Sequence, residues 1–118
     1  MPENEKHLQQ YRHNKDFVQK GINDTMKFSD WYVVGLFYCA VHLMEAYLSK
    51  LNMHSGSHSD RAEILRKHVD SDTYINYQCL YNMSIKARYT CIDINNNDTI
   101  NSQSALDGLE NFYGKKYL

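Results

Sequence analysis

The sequence predicts an all-α fold, an up-and-down bundle of four to five helices that forms one domain over residues 1–118. Residues that interrupt helices are scarce, because the only proline is Pro2 and there are just five glycines. Apolar residues recur at helical spacing, and strand-like alternation never persists for more than a few residues. A chain of 118 residues, 42% of them hydrophobic, is long enough to bury one core without disulfides.

The first two helices are predicted from apolar spacing and a capping residue. The first is expected over residues 3–27, with these residues among its apolar positions: Leu8, Tyr11, Val18 and Ile22. Gly21 weakens its last turn. The second is expected to begin at Ser29, a favourable N-cap, and to end at Leu51 or Met53.

The rest of the chain predicts three shorter helices separated by polar segments. We expect a loop at about residues 54–58, then a short third helix at 59–69 and a fourth helix at 73–93. A polar connection at 95–98 leads to a fifth helix at 102–112. Asp72 is the expected N-cap of the fourth helix. The short third helix therefore lies in the connection between the second and fourth helices.

Composition argues against several classes of protein. The net charge of −1 provides no overall positive field, so a nucleic acid would need a local basic patch. An odd number of cysteines in apolar helical patterns predicts reduced, buried thiols in a cytoplasmic protein: Cys39, Cys79 and Cys91. The segment 31–49 approaches membrane-spanning length, but it contains His42 and Glu45. A buried core helix is therefore expected there, and no membrane contact.

Two of the predicted helices each carry an aromatic and polar stripe beside an apolar one. The stripe on the second helix contains Trp31, Gly35, Tyr38, His42 and Glu45. The stripe on the fourth contains Tyr74, Tyr77, Tyr81, Ser84 and Arg88. Across a bundle these stripes would face each other, with Glu45 and Arg88 as candidate partners. Two interpretations stay open, an internal polar network or a cleft that His42 and Arg88 share.

Other common kinds of site find little support in the sequence. His54 and His58 lie four residues apart in a loop without an evident third ligand, so no metal is expected. There is no Gly-x-Ser-x-Gly sequence and no glycine-rich phosphate loop, and no cofactor is expected. A basic cluster on the third helix either binds phosphate or is a solvated face: Arg61, Arg66, Lys67 and His68.

Three motifs together resemble the HEPN superfamily, and in particular its small stand-alone members. They are Phe37-Tyr38-x-Ala40-x-His42-x-x-Glu45-Ala46-x-Leu48, then His54-x-x-x-His58-x-x-Arg61, then Tyr81-x-x-Ser84-x-x-Ala87-Arg88-Tyr89. The resemblance covers roughly residues 28–92. It implies a helical bundle, commonly a homodimer, that acts on or binds RNA or a nucleotide. Many HEPN proteins are metal-independent endoribonucleases of toxin–antitoxin or defence systems, with a cognate antitoxin or nucleotidyltransferase as partner.

The resemblance also implies candidate site residues. The nuclease branch carries an Arg-x(4–6)-His motif, and only Arg61 and His68 have that spacing here, on the short third helix. The catalytic candidates are residues suited to proton transfer and to phosphate binding: His42, His58, Arg61 and Arg88. The expected substrate-binding residues are Tyr38, Glu45, His54, Tyr81, Ser84 and Tyr89. The alternative function is a non-catalytic module that dimerises or binds a nucleotide.

Overall fold

The computed structural model describes residues 4–117, with side chains described through residue 114. Within that range the chain is helical and has no β-strand. The α-helices are α1 (Asn4–Asp16), α2 (Ser29–Lys50), α3 (His58–His68), α4 (Ser71–Tyr89) and α5 (Asn96–Tyr117), and a π-helical turn, Phe17–Gly21, extends α1. The predicted all-α class and the short helix before α4 are confirmed. The predicted first residue of the first helix, residue 3, lies outside the described residues.

Helix α2 is the centre of the bundle, because it packs against α1, α4 and α5. Its side chains supply much of the core, which includes the fully buried residues Leu36, Met44, Leu48, Leu65, Leu80, Leu106 and Leu109. Helix α2 runs antiparallel to both α1 and α4. The Asn4 amide at the start of α1 donates to the Ala46 carbonyl near the end of α2, and Ser29 at the start of α2 donates to the Ile94 carbonyl after α4. The bundle therefore has the predicted up-and-down arrangement.

Among the described residues, α2 is the one helix long and apolar enough to cross a membrane. However, 78% of that apolar window is buried inside the bundle. The other helices thus cover the apolar surface that a membrane span would present to lipid, as expected for the core helix of a globular protein.

The predicted beginnings of α4 and α5 are wrong, and each error concerns a polar side chain. Helix α2 begins at Ser29 as predicted, but Ser29 is its first residue rather than its N-cap, and its hydroxyl donates to the Ile94 carbonyl. The N-cap of α4 is Asp70, whose carboxylate accepts from the Thr73 backbone N–H. Helix α5 begins six residues before the predicted position, because the segment 95–98 caps it instead of forming a loop. The Asn95 and Asp98 side chains each accept from the other's backbone N–H.

The first and fourth helices also end earlier than predicted. The helical segment that starts with α1 stops after Gly21, and the Asp24 carboxylate organises a turn by accepting from the N–H groups of Met26 and Lys27. Helix α4 ends at Tyr89, and two residues later Cys91 has a φ of 57°. That left-handed conformation ends the helix and leaves Cys91 exposed. The prediction of a buried thiol is therefore wrong for Cys91, whereas Cys39 is buried.

Candidate functional site

The antiparallel packing of α1 on α2 brings two histidines together. Nδ1 of His7 lies 3.1 Å from Nδ1 of His42, and the ring centroids are 5.3 Å apart. One ring must donate the hydrogen bond and the other accept it, so two neutral rings in this pair hold opposite tautomers. The remaining nitrogen of one ring is then an acceptor and that of the other a donor. The pair thus presents one free ring nitrogen that can accept a proton and one N–H that can donate a hydrogen bond.

One turn after His42, Glu45 forms a buried ion pair with Arg61 of α3. The Arg61 Nε lies 2.7 Å from Oε1 of Glu45, and the two side chains are only 15% and 9% exposed. The hydroxyl of Ser55, in the loop before α3, donates to the same carboxylate oxygen. Glu45 therefore holds both the loop and α3 against α2.

The network continues from Arg61 into α4. Nη1 of Arg61 donates to the Tyr77 hydroxyl at 3.2 Å, and that hydroxyl lies 3.1 Å from Nδ1 of His58. The His58 ring stacks on Tyr81 with centroids 3.5 Å apart, and Phe37 of α2 packs against both rings. We call this group, Phe37, His58, Tyr77 and Tyr81, the aromatic platform. Through the Tyr77 hydroxyl it gives Arg61 a second contact in addition to the one with Glu45.

The two imidazoles and the ion pair line an open cavity of about 320 Å³. We call it the histidine pocket, and its lining residues are His7, Val41, His42, Glu45, His54, Ser55 and Arg61. It therefore combines three imidazoles, one guanidinium and one carboxylate in a space of ligand size. Imidazole suits proton transfer near neutral pH, and guanidinium suits phosphate oxygens.

Burial lowers the pKa of His7, His42 and His58 below the ordinary value of 6.5. Burial is the largest cause for each ring, because it penalises the charged form. The positive charge of Arg61 lowers all three pKa values further, and the Glu45 carboxylate opposes part of the shift for His7 and His42. All three rings are therefore mainly neutral at pH 7 and can accept a proton.

These pKa shifts predict that acidification destabilises the fold. Because the folded pKa values lie below 6.5, the unfolded chain binds more protons as the pH falls through 6.5, and the free energy of unfolding decreases. Urea unfolding at pH 7.5 and 5.5 measures the loss. In the double variant His7→Asn/His42→Asn, the free energy of unfolding should depend less on pH than in the wild type. A variant of the exposed His13 should keep the pH dependence of the wild type. Equal stability of the wild type at both pH values would contradict the assignment.

The structure brings four of the ten predicted site residues into the histidine pocket: His42, Glu45, His54 and Arg61. His58 and Tyr81 belong to the adjoining aromatic platform. Tyr38 lines a neighbouring groove together with His42. The other three predicted residues lie near the end of α4: Ser84, Arg88 and Tyr89.

The predicted pairing of Arg88 with Glu45 is wrong. Nε and Nη2 of Arg88 donate at 3.2 Å to the carbonyl and hydroxyl oxygens of Ser84, and Arg61 is the ion-pair partner of Glu45. The reason is the antiparallel register of α2 and α4. Arg88 lines a cavity with Trp31 at the start of α2, whereas Glu45 lies fourteen residues further on, about 21 Å along a helix. His42 and Arg88 consequently line different cavities.

Sequence reasoning missed two polar residues of the pocket, His7 and Ser55. His7 lies in a mostly polar helix, and only the packing of α1 on α2 shows that it is buried against His42. Ser55 belongs to a loop whose composition indicated flexibility alone, yet its hydroxyl is held by Glu45. The one available signal was Glu45 in an apolar helix, because a buried carboxylate requires a hydrogen-bond donor close to it.

The described residues do not form a metal site, a reactive thiol at Cys39 or a site built on the Arg-x(4–6)-His spacing. No group of three or more His, Cys, Asp or Glu side chains within them could hold a metal ion. Burial raises the pKa of the Cys39 thiol to about 12, so this thiol stays protonated. Arg61 and His68, which have the spacing of the Arg-x(4–6)-His motif, do not share a site. Nε of Arg61 donates to Glu45, whereas His68 is exposed at the end of α3.

Comparisons with known proteins identify no relative of this chain. No protein-family model matches it, and no curated protein or solved structure shows significant similarity.

Proposed function

We propose that this protein is a HEPN-like module that binds RNA in the histidine pocket and cleaves it without a metal ion. The observation that carries the proposal is the neutral His7–His42 pair beside the Arg61 guanidinium in an open cavity. Metal-independent RNA cleavage needs a proton acceptor, a proton donor and a positive group for the phosphate. The pocket offers the proton acceptor and the positive group on one side of α2, and water that enters the open cavity supplies the proton.

The proposed reaction starts with the ribose 2′-hydroxyl. The unprotonated ring nitrogen of His42 removes its proton while the 2′-oxygen attacks the adjacent phosphorus. The bond from phosphorus to the 5′-oxygen then breaks, and that oxygen takes a proton from water, because a neutral imidazole such as His7 is too weak an acid to supply one. The products are a 2′,3′-cyclic phosphate and a free 5′-hydroxyl. His42 returns to its neutral form by losing the proton to water.

Arg61 is proposed to stabilise the negative charge that develops on the phosphate. Glu45 and Tyr77 bind its Nε and Nη1, while its Nη2 makes no hydrogen bond to a described residue. The guanidinium is thus fixed on two sides and has a donor left for an oxygen of the substrate. His58 acts as a positioning residue in this proposal, because it reaches Arg61 only through Tyr77.

Incubating the purified protein with a mixed RNA pool, with and without EDTA, tests the proposed function. We expect cleavage that EDTA leaves unchanged, and products that end in a 2′,3′-cyclic phosphate. An oligonucleotide with 2′-deoxyribose at every position should remain intact, because it lacks the attacking hydroxyl. Loss of cleavage in EDTA, or intact RNA after incubation without EDTA, would contradict the proposal.

A specific surface favours the second candidate function, a module that dimerises or binds a partner protein. Three large apolar side chains are exposed at the end of the bundle where the α1–α2 and α4–α5 connections meet: Met26, Phe28 and Ile92, 68%, 42% and 60% exposed. A cluster of this kind is typical of interfaces. A cognate antitoxin or nucleotidyltransferase, or a second copy of this chain, could cover it.

We expect a homodimer in solution, and sedimentation velocity at tens of micromolar protein measures it. Replacing Met26 and Ile92 with serine should shift the population to monomers if this surface is the contact. A wild-type monomer at that concentration would contradict dimerisation.

A further inference from the structure

A second cavity, next to the histidine pocket, is lined by exposed aromatic side chains. This groove between α1 and α2 has a volume of about 370 Å³. Phe17, Trp31 and Tyr38 line it and are 45%, 57% and 40% exposed. We call it the aromatic groove. Three large rings around one open cavity offer flat apolar surfaces to a flat ligand.

Close packing of the helices forms the floor of the aromatic groove at Gly35. A Cβ atom added at Gly35 would lie 2.4 Å from Cγ1 of Val18 and 3.3 Å from the Phe17 ring. Only glycine therefore allows α1 and α2 to approach so closely here. Val18 and Phe17 belong to the π-helical turn, a feature that is often found at functional sites.

The lining of the aromatic groove carries no carboxylate, lysine or arginine. Its polar groups include the amides of Gln10 and Asn14, which are linked by a hydrogen bond from Nε2 of Gln10 to Oδ1 of Asn14. Oε1 of Gln10 and Nδ2 of Asn14 make no hydrogen bond to described residues. The pair can thus present one acceptor and one donor, the pattern found along the edge of a nucleobase.

The aromatic groove lies between two cavities that each contain a guanidinium and a carboxylate, Arg61 with Glu45 on one side and Arg88 with Asp30 on the other. His42 lines both this groove and the histidine pocket, where Arg61 lies. At the other end, Trp31 and Val34 line both the groove and a smaller cavity of about 200 Å³ that contains Arg88. An uncharged aromatic surface flanked by two guanidinium groups matches the alternation of bases and phosphates along a nucleic acid strand.

We propose that the aromatic groove binds one unpaired RNA base, stacked on Trp31 and Tyr38, while the adjoining phosphates lie toward Arg61 and Arg88. The inference deepens the proposed function and rests on it. It defines the substrate as single-stranded RNA, because a base in a duplex is stacked and paired and cannot enter the groove. It also gives Arg88 a role in binding rather than in the reaction.

The fluorescence of Trp31, the only tryptophan of the chain, reports on the groove directly. The probes are adenosine, adenosine monophosphate and ribose 5-phosphate. Adenosine should quench the emission, the monophosphate should do so at lower concentration, and ribose 5-phosphate should have little effect. Tyr38→Ala should weaken binding of adenosine by about 10-fold, whereas Tyr38→Phe, which keeps the ring, should preserve it.

Two outcomes separate this inference from the proposed function. Quenching by adenosine in a protein that cleaves no RNA would support the groove as a base site while the cleavage proposal fails. Cleavage of RNA without any response of the Trp31 fluorescence to adenosine would overturn the assignment of the groove as a base site and leave the cleavage proposal intact. A Trp31 emission that changes only with protein concentration, and not with adenosine, would show that a second copy covers the groove and would overturn the inference.

A pair of oligonucleotides tests the substrate class. A fluorescently labelled 2′-O-methyl RNA, which has no free 2′-hydroxyl, should bind as a single strand and lose at least about 10-fold in affinity when annealed to its complement. Equal binding of both forms would overturn the assignment to single strands. Tyr38→Ala should weaken binding of the single strand, and an unchanged affinity would also overturn it.

Discussion

Replacing Arg61 with alanine is expected to lower the free energy of unfolding by about 3 kcal/mol. The variant leaves the Glu45 carboxylate buried without its cation, and it also removes the hydrogen bond that Nη1 of Arg61 donates to the Tyr77 hydroxyl. Leaving one charge of a buried pair uncompensated is far more harmful than losing an exposed pair. Urea unfolding at pH 7.5 measures the effect.

The same helix offers a matched control for that measurement. Arg66 and Glu63 form an ion pair of similar length, 2.6 Å, but both side chains are more than half exposed. Arg66→Ala should therefore change stability much less than Arg61→Ala. The double variant Glu45→Leu/Arg61→Met should regain most of the lost stability, because it removes both charges and fills the space with apolar atoms. Equal losses of stability for the two arginine variants would show that burial does not determine how much the Glu45–Arg61 pair contributes to stability.

His42→Ala is expected to reduce RNA cleavage by at least about 100-fold, the usual range for loss of a group that transfers a proton. The reason is its position, since His42 lines the histidine pocket and is paired with His7. The initial rate of cleavage of a defined single-stranded RNA measures the change, and circular dichroism shows whether the variant is folded. His13→Ala, on the exposed side of α1, is the matched control. An undiminished rate for a folded His42→Ala protein would exclude this ring from the reaction.

The same assay distinguishes the roles of the other predicted catalytic residues. His58→Ala and Arg88→Ala should also lose cleavage, His58 because it supports Arg61 through Tyr77 and Arg88 because it binds the RNA strand. The Arg88 effect should appear mainly as a raised KM, since Arg88 does not line the histidine pocket. Retained cleavage in both variants would remove these two residues from the account.

The sequence was sufficient for the architecture and for part of the site. The apolar run with His42 and Glu45 correctly predicted a core helix, and for its polar groups it left open a buried network or a cleft. The structure places Glu45 in a buried ion pair with Arg61, whereas the expected partner was Arg88. The core helix could be predicted because it depends on helical periodicity, and the need for a partner because a buried charge must be paired.

What could not be predicted depends on how helices are placed against one another. The choice of Arg61 over Arg88 as the partner of Glu45 follows from the antiparallel register of α2 and α4, which side-chain spacing within one helix does not define. His7 was missed for the same reason, because its partner lies 35 residues away. The helix ends were misjudged where several capping residues lie close together, as at Asp70 and Asp72.

The most direct test of the central claim is a titration of the imidazole NMR signals with a 2′-O-methyl RNA oligonucleotide. If RNA binds in the histidine pocket, the signals of His7, His42 and His54 should shift as the strand is added, while those of His13 and His68 stay in place. Shifts confined to His13 and His68, or an unchanged spectrum at saturating RNA, would contradict the proposed site.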